Sequence, residues 1–361
     1  MKKILFIAML LISQLIPNSF IKSYNYNPIV IRQGFNNQYI LLTGAICDVD
    51  CSSEEFFDNG TFLHQLNSNG EILWTTDIGY LNEIDDTSNF SYDFNIFNDV
   101  VQSTDGTYIA AGNNWSLTDV QDYGIILIKV DANGEILWKN RYMIDFDENT
   151  NANMAKRIYE TQDGNYFVLF SQIGLTRVMK ISSDGDLLWH NIYEECRSNS
   201  YYGNMSLTND GGFILTGSDG GFSWTEACAL KVNNMGSQEW YISHNSWGDD
   251  DAVGYDIIQR NDGRYVMVGT NDDFREDGYI VFMDESGEAY NQIILEGWCD
   301  GIGCDDTSYE YVFQVLKIND GSNWDDGYFL EQWSGISYVT RRSLSGGSIE
   351  FSKPLTFISE N

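Results

Sequence analysis

Residues 98–140 read NDVVQSTDGTYIAAG, then a polar loop, then YGIILIKVDANGEILWKN. Four apolar runs are divided by three turns, and the first turn carries Asp105-Gly106 with Tyr108 two residues on. An Asp-Gly pair between extended runs signals a β-hairpin, because a tight turn needs a residue at positive φ. The same signal returns at Asp163-Gly164 with Tyr166, Asp210-Gly211 with Phe213 and Asp262-Gly263 with Tyr265. Asn36-Asn37 with Tyr39 and Asp326-Gly327 with Tyr328 are weaker copies at the two ends.

The third turn of the unit has its own glycine, followed four residues later by an aromatic: Gly70 and Trp74, Gly134 and Trp138, Gly185 and Trp189, Gly236 and Trp240. Gly287 and Gly347, the latter with Phe351, are degenerate copies. From Gly134 to Gly287 the interval is 51 residues three times over, and it stretches to 64 and 60 at the ends, where loops lengthen. A fixed period of this length marks a repeat architecture. Each copy holds four short strand-like runs and no helical periodicity, and Ile125–Val130 is apolar apart from Lys129, as in a strand covered on both faces. Six such units predict an all-β fold, a β-propeller of six four-stranded blades. The repeats span about 28–79, 92–144, 153–194, 201–246, 252–296 and 309–358 of a single domain over 23–361. A linear β-solenoid fits less well, since its shorter coils have no place for Asp-Gly hairpins.

Composition narrows the function. Of 361 residues, 53 are acidic and 20 basic, a net charge of −33 that repels phosphate backbones and anionic lipid heads. Nucleic acid is therefore not an expected partner. The 43% hydrophobic and 14% aromatic content excludes a disordered acidic chain. Lys2 and Lys3 precede an apolar run from Ile4 to Ile16, the pattern of a secretory signal peptide over residues 1–22. That run is shorter than the roughly 20 residues a membrane span needs, and no comparable stretch follows. The expected location is secreted, cell-surface or periplasmic, and the expected state a monomer. Six cysteines in an exported chain favour disulfides. Cys47 with Cys51 and Cys299 with Cys304 are local pairs that leave Cys196 with Cys228; reduced, buried thiols are the alternative.

The string DGTYIAAG, loop, GIILIKVDANGEILW resembles the repeat of secreted bacterial propellers common in the Bacteroidetes. The likeness covers essentially Ile29 to Phe357 and implies a secreted or surface-associated propeller. Members often precede a type IX secretion C-terminal sorting domain, which is not seen after the sixth repeat here. A weaker resemblance is to quinoprotein-like propellers and related outer-membrane assembly propellers, in which a glycine followed four residues later by Trp docks neighbouring blades. Asp131, Gly134 and Trp138 fit that docking pattern with one residue fewer between the Asp and the Gly.

Trp74, Trp138, Trp189 and Trp240 share one register and are expected to be structural wedges between blades. Trp115, Trp224, Trp247, Trp298 and Trp324 fall outside the register, in variable loops, and are the candidate ligand contacts. Lys129, Lys180 and Lys231 recur every 51 residues; they either ring an anion or, as strand residues, pair with neighbouring acids. Asp249, Asp250 and Asp251 are the leading calcium set among several acidic clusters, since hard cations take oxygen ligands. No other cofactor is expected. The sequence has no GxSxG, HExxH, phosphate-loop or GxGxxG motif, and His64, His190 and His244 are its three histidines. The reading is a secreted, non-catalytic propeller that binds protein or glycan. A polysaccharide hydrolase or lyase with a carboxylate pair at the propeller channel, and a structural part of an envelope assembly, stand beside it.

Overall fold

The computed structural model describes residues 27–34, 36, 38–44, 61–79, 93–116, 124–144, 154–172, 174–197, 203–221, 224–244, 251–272, 277–295, 311–317, 326–333, 336–343 and 349–354. Their 24 strands form six antiparallel four-stranded sheets, each made of four consecutive strands. Blade 1 holds β1 (Asn27–Gln33), β2 (Tyr39–Gly44), β3 (Phe62–Leu66) and β4 (Ile72–Asp77). Blade 2 holds β5 (Asp93–Gln102), β6 (Tyr108–Ser116), β7 (Gly124–Val130) and β8 (Ile136–Tyr142). Blade 3 holds β9 (Met154–Glu160), β10 (Tyr166–Gln172), β11 (Leu175–Ile181) and β12 (Leu187–Tyr193). Blade 4 holds β13 (Asn204–Leu207), β14 (Phe213–Gly221), β15 (Trp224–Val232) and β16 (Gln238–His244). Blade 5 holds β17 (Asp251–Gln259), β18 (Tyr265–Asp272), β19 (Asp277–Met283) and β20 (Ala289–Leu295). Blade 6 holds β21 (Tyr311–Lys317), β22 (Asp326–Trp333), β23 (Ile336–Ser343) and β24 (Ile349–Pro354). Among the described residues every sheet is contiguous, and the last one is made of β21 to β24. The signal-peptide region and Cys47, Cys51, Cys299 and Cys304 lie outside the described residues.

Two compact units divide the chain, blades 1–3 and blades 4–6, with the boundary crossing β11 and β12. In the first unit, the faces of adjacent blades meet in two apolar clusters. Ile40, Leu42, Phe97, Val100, Tyr108 and Ile126 belong to one, and Ile109, Leu127, Ile158, Tyr166, Val168 and Met179 to the other. The second unit packs Ile214, Ala227 and Ala229 of blade 4 on Ile257, Tyr265, Met267 and Tyr279 of blade 5. The third strand GIILIKV is buried along its whole length, while the fourth strand opens with exposed residues. That contrast follows from position, since β7 is an inner strand with a neighbour on each side and β8 an edge.

The Asp-Gly turn is not the two-residue turn its dipeptide suggests. Gly106 N–H donates to Ser103 O at 2.9 Å, and Ser103 N–H donates to Thr107 O at 2.8 Å. This is a four-residue turn with only the glycine at positive φ, 87°, a common longer hairpin form. Asp105 stays at negative φ and uses its carboxylate to accept Thr107 N–H at 2.9 Å.

The glycine of the third turn has two duties. It sits at positive φ, 88° in Gly134 and 91° in Gly185, and it leaves room for the preceding blade. A Cβ on Gly134 would lie 2.8 Å from the Trp74 ring, and one on Gly287 2.6 Å from Trp240. Trp74 Nε1–H donates to Ala132 O at 2.9 Å and Trp138 Nε1–H to Ser183 O at 3.3 Å, both in the next blade. Trp74 also meets Tyr108, and Trp240 meets Tyr265, edge to face at 5.6 and 5.5 Å. The two aromatics that mark the repeat thus touch each other from one blade to the next.

Candidate functional site

The first strand of each blade lies against the first strand of the next within both units: β1 on β5, β5 on β9, β13 on β17 and β17 on β21. Five of these six strands carry a one-residue bulge, at Ile29, Asn98, Lys156, Tyr255 and Phe313, which the register skips. Only β13 pairs without one. A bulge re-aims the side chains that follow it. The next residue in each bulged strand is Val30, Asp99, Arg157, Asp256 and Gln314, and Asn204 stands six residues before its Asp-Gly turn, as Asp99 and Asp256 do. These positions concentrate polar chemistry on the first strands.

Asp99 is fully buried. Arg32 of blade 1 grips it, with Nη2 at 2.8 and 2.9 Å from its two oxygens and Nε at 3.2 Å. From the other side, Ile158 N–H of blade 3 donates to Oδ2 at 3.1 Å. One carboxylate therefore ties three blades. Beside it, Asn98 Nδ2 donates to Ala155 O at 2.9 Å, and Ala155 N–H returns a bond to Asn113 Oδ1 at 2.8 Å. Asp256 repeats the arrangement in the second unit: Asn204 Nδ2 of blade 4 donates to Oδ1 at 2.8 Å, and Val315 N–H of blade 6 donates to Oδ2 at 3.2 Å.

Next to Asp99, β9 places Lys156 and Arg157 in sequence, and Arg157 Nη1 donates to Lys156 O at 3.0 Å. Lys156 keeps part of its surface in solvent. Burial of its ammonium, aided by the Arg157 charge, lowers its pKa to about 7.

The recurring lysines pair with acids. Lys129, Lys180 and Lys231 are buried in the third strand and reach the aspartate of their own blade's Asp-Gly turn, at 3.3 Å to Asp105, 2.8 Å to Asp163 and 2.8 Å to Asp210. Lys231 adds Glu239 at 2.9 Å. The lysines, with hydrogen bonds from turn residues, hold Asp105, Asp163 and Asp210 below the usual carboxylate range against the upward push of burial. Blade 5 has Phe282 in place of lysine, and there Arg260 reaches Asp262 at 2.9 Å. Blade 1 has neither charge, and Gln65 Nε2 donates to Gln38 Oε1 and to Tyr108 Oη, each at 2.7 Å.

His64 and His244 are buried, and burial lowers both to about 4, so they are neutral near pH 7. His64 sits between Thr43 and Thr75, its ring nitrogens 3.0 and 2.8 Å from their hydroxyls. His244 hydrogen-bonds the backbone of Gly287 in blade 5. Tyr142 and Tyr193 occupy the same register, and their hydroxyls donate to Gly185 O at 2.7 Å and Gly236 O at 3.0 Å. This latch, four residues after the Trp and every 51 residues, is a signal the sequence reading passed over.

Of the candidate ligand contacts, Trp115 and Trp224 are strand residues rather than loop residues. Trp115 pairs with Phe94 in the β5–β6 backbone register, and Trp224 opens β15 at the register position of Gly221. The reason is that these hairpins extend further than the apolar runs suggest. Trp247, Trp298 and Trp324 lie outside the described residues, as do Asp249 and Asp250. Asp251 opens β17 opposite Asp272. Among the described residues no three His, Cys, Asp or Glu side chains gather as a metal site. The structural tryptophans Trp74, Trp138, Trp189 and Trp240 are all half-buried on fourth strands. Cys196 and Cys228 are disulfide-bonded, with Cα atoms 5.7 Å apart, and fasten the segment entering blade 4 to its third strand. No helix among the described residues is long and apolar enough to cross a membrane.

No protein-family model and no curated protein matches the chain. Solved structures do. The propeller of Dos1 is similar with a TM-score of 0.52 and 11% identity, over 94% of this chain and 86% of that one. A polysaccharide lyase of family PL25, an ulvan lyase, is similar at 0.52 and 9%, over 91% and 81%. A protein from Lactobacillus plantarum is similar at 0.51 and 12%, over 88% and 82%. At such identities the likeness speaks to architecture alone, and with the four-stranded sheets it establishes a β-propeller fold.

Proposed function

We propose that the protein is a propeller binding module that holds a protein or glycan without transforming it. The observation that carries this reading is how the chemistry of the repeat is used. The recurring lysines and Asp-Gly aspartates neutralise each other, the register aromatics pack from blade to blade, and His64 and His244 are buried and neutral. What recurs builds the scaffold, so recognition falls to residues that do not recur, with Trp115, Trp224, Trp247, Trp298 and Trp324 foremost. Aromatic side chains supply large contact area at low entropic cost, and they dominate many binding sites. The Cys196–Cys228 disulfide supports an oxidising compartment and hence export. Calcium held by Asp249, Asp250 and Asp251 belongs to the same reading, as an organiser of a binding loop.

The test is a panel of immobilised glycans and extracellular proteins probed with the protein, alone and with calcium or chelator. The expected result is a saturable ligand whose affinity falls about tenfold or more in Trp115→Ala or Trp224→Ala, with the melting temperature held. Turnover of a polysaccharide on the same panel, abolished by one Asp or Glu substitution, would replace this reading with the hydrolytic one.

A further inference from the structure

We propose that the starts of the edge strands β4, β8 and β12 form a protein-docking surface. On it, Ile72-Leu73, Ile136-Leu137 and Leu187-Leu188 receive the apolar side chains of a basic amphipathic segment, and the carboxylate preceding each pair meets its lysines or arginines. All of these residues belong to the first unit. The inference goes beyond the reading above and does not depend on the loop tryptophans.

The first argument is exposure. The six aliphatic side chains of these pairs are 42–53% exposed. Single apolar residues scattered on a surface are ordinary, but a joined set marks an interaction site. Blade contacts join this one. Directly after Leu73, Trp74 Nε1–H reaches Ala132 O of blade 2 at 2.9 Å, four residues before Ile136. Directly after Leu137, Trp138 Nε1–H reaches Ser183 O of blade 3 at 3.3 Å, four residues before Leu187. Comparison within the fold gives the second argument. At the same two positions after the turn glycine, blade 4 has exposed Gln238-Glu239 and blade 5 exposed Ala289-Tyr290. Trp240, directly after the polar pair, still meets Tyr265 of blade 5 edge to face at 5.5 Å. Blade packing therefore does not require the aliphatic pairs. Charge supplies the third argument and the kind of partner. Glu71, Glu135 and Asp186 directly precede the three pairs and are exposed. Glu71 accepts Asn67 Nδ2 at 2.9 Å, and among the described residues none of the three lies in an ion pair. A segment that alternates apolar and cationic side chains matches both features, and complementary charge speeds encounter and fixes register. The same carboxylates, in a chain of net charge −33, repel an anionic lipid surface and a second copy of the chain. Aliphatic side chains offer no ring face to a sugar, which favours protein over glycan at this surface.

The experiment titrates the full-length protein into a fluorescent peptide of alternating leucine and lysine, at physiological ionic strength, and reads anisotropy. A peptide with serine for leucine keeps the charge, and one with glutamate for lysine keeps the apolar side chains. We expect saturable binding of the leucine–lysine peptide, weaker by about tenfold or more with serine and absent with glutamate. Leu73→Gln, Leu137→Gln and Leu188→Gln together are expected to weaken it about tenfold or more with the melting temperature held. Should that variant not fold, hydrogen exchange of the wild type carries the test: bound peptide is expected to slow amides of 72–74, 136–138 and 187–189 and leave 238–240 of blade 4 unchanged. Equal affinity for the leucine and serine peptides means bulk charge alone and overturns the proposal. Wild-type affinity in the folded variant, or unchanged exchange at the three segments, overturns it too. Self-association in sedimentation velocity, or binding to phosphatidylcholine vesicles, that the variant abolishes would replace the partner segment with a second copy or a lipid surface. Each of these results leaves the loop-centred reading to its own panel.

Discussion

Asp99 and Asp256 hold the same position in blades 2 and 5, one residue past a bulge and six before an Asp-Gly turn, yet their partners differ. Asp99 is gripped by a charged guanidinium, and Asp256 by a neutral amide. Each also accepts a backbone N–H from the following blade, Ile158 for Asp99 and Val315 for Asp256. The lesson is that the repeat keeps a buried acceptor and its two-sided bonding, and leaves the donor free to vary. The Lys-Asp pairs teach the same: blade 5 replaces the lysine with Phe282 and delivers a cation to Asp262 from Arg260 instead. Geometry recurs where residue identity does not.

The sharpest way to break the comparison is to remove each carboxylate. Asp99→Asn leaves Arg32 facing an amide that cannot satisfy it, and is expected to cost about 3–5 kcal/mol in urea unfolding. Asp256→Asn exchanges neutral for charged acceptors beside Asn204, and is expected to cost about 1–2 kcal/mol. Equal losses would mean that the partner's charge is irrelevant. The second unit alone has a described disulfide, so Cys196→Ser with Cys228→Ser should lower stability by about 3 kcal/mol. Intact and variant protein under the same denaturant series give that difference.

Acid sharpens the comparison of latches. His244 stands where blades 2 and 3 have Tyr142 and Tyr193, and burial depresses it to about 4 from 6.5. The neutral form is the folded one, so this contribution is complete above pH 6.5 and is lost as pH falls from about 6.5 towards 4. His244→Tyr, which supplies a non-titrating hydroxyl, should recover about 1–3 kcal/mol of the acid loss, with little change at pH 7.5. Melting profiles between pH 4 and 7.5 read it; the unchanged His64 remains as an internal source of residual acid sensitivity. The smallest expected effect separates the two duties of the turn glycines. Gly106 and Gly185 share positive φ, but a Cβ meets nothing within 4 Å at Gly106 and lies 2.3 Å from Asn140 Nδ2 at Gly185. Gly106→Ala should cost about 1 kcal/mol from backbone strain alone, and Gly185→Ala more. Matched losses would show that blade docking adds nothing.

Much of this architecture was legible because turns and large aromatics obey fixed spacing. Asp105-Gly106, recurring once per unit, and Gly134 with Trp138, recurring at 51 residues, marked four strands per unit. The first strands were less legible. Asp99, Arg157, Asn204 and Asp256 each stand six residues before the Asp of their turn, a regularity present in the chain. The bulge before Asp99 and Asp256 breaks the period-two alternation, so these polar residues, which read as outward-facing, are buried. The same local geometry changed the reading of the Asp-Gly turn, where only the glycine takes positive φ. Around Trp115 polar neighbours mask strand continuation in the sequence, although Asn113 and Asn114 pair in register with β5 and β7.

The central structural claim is that one buried carboxylate in each unit clamps the first strands of three successive blades. Amide hydrogen exchange in Asp99→Ala and Asp256→Ala tests it at the bonded atoms. Faster exchange at Ile158 in the first variant and at Val315 in the second, each with the other amide unchanged, is the predicted result. Wild-type protection at Ile158 in Asp99→Ala and at Val315 in Asp256→Ala would contradict it.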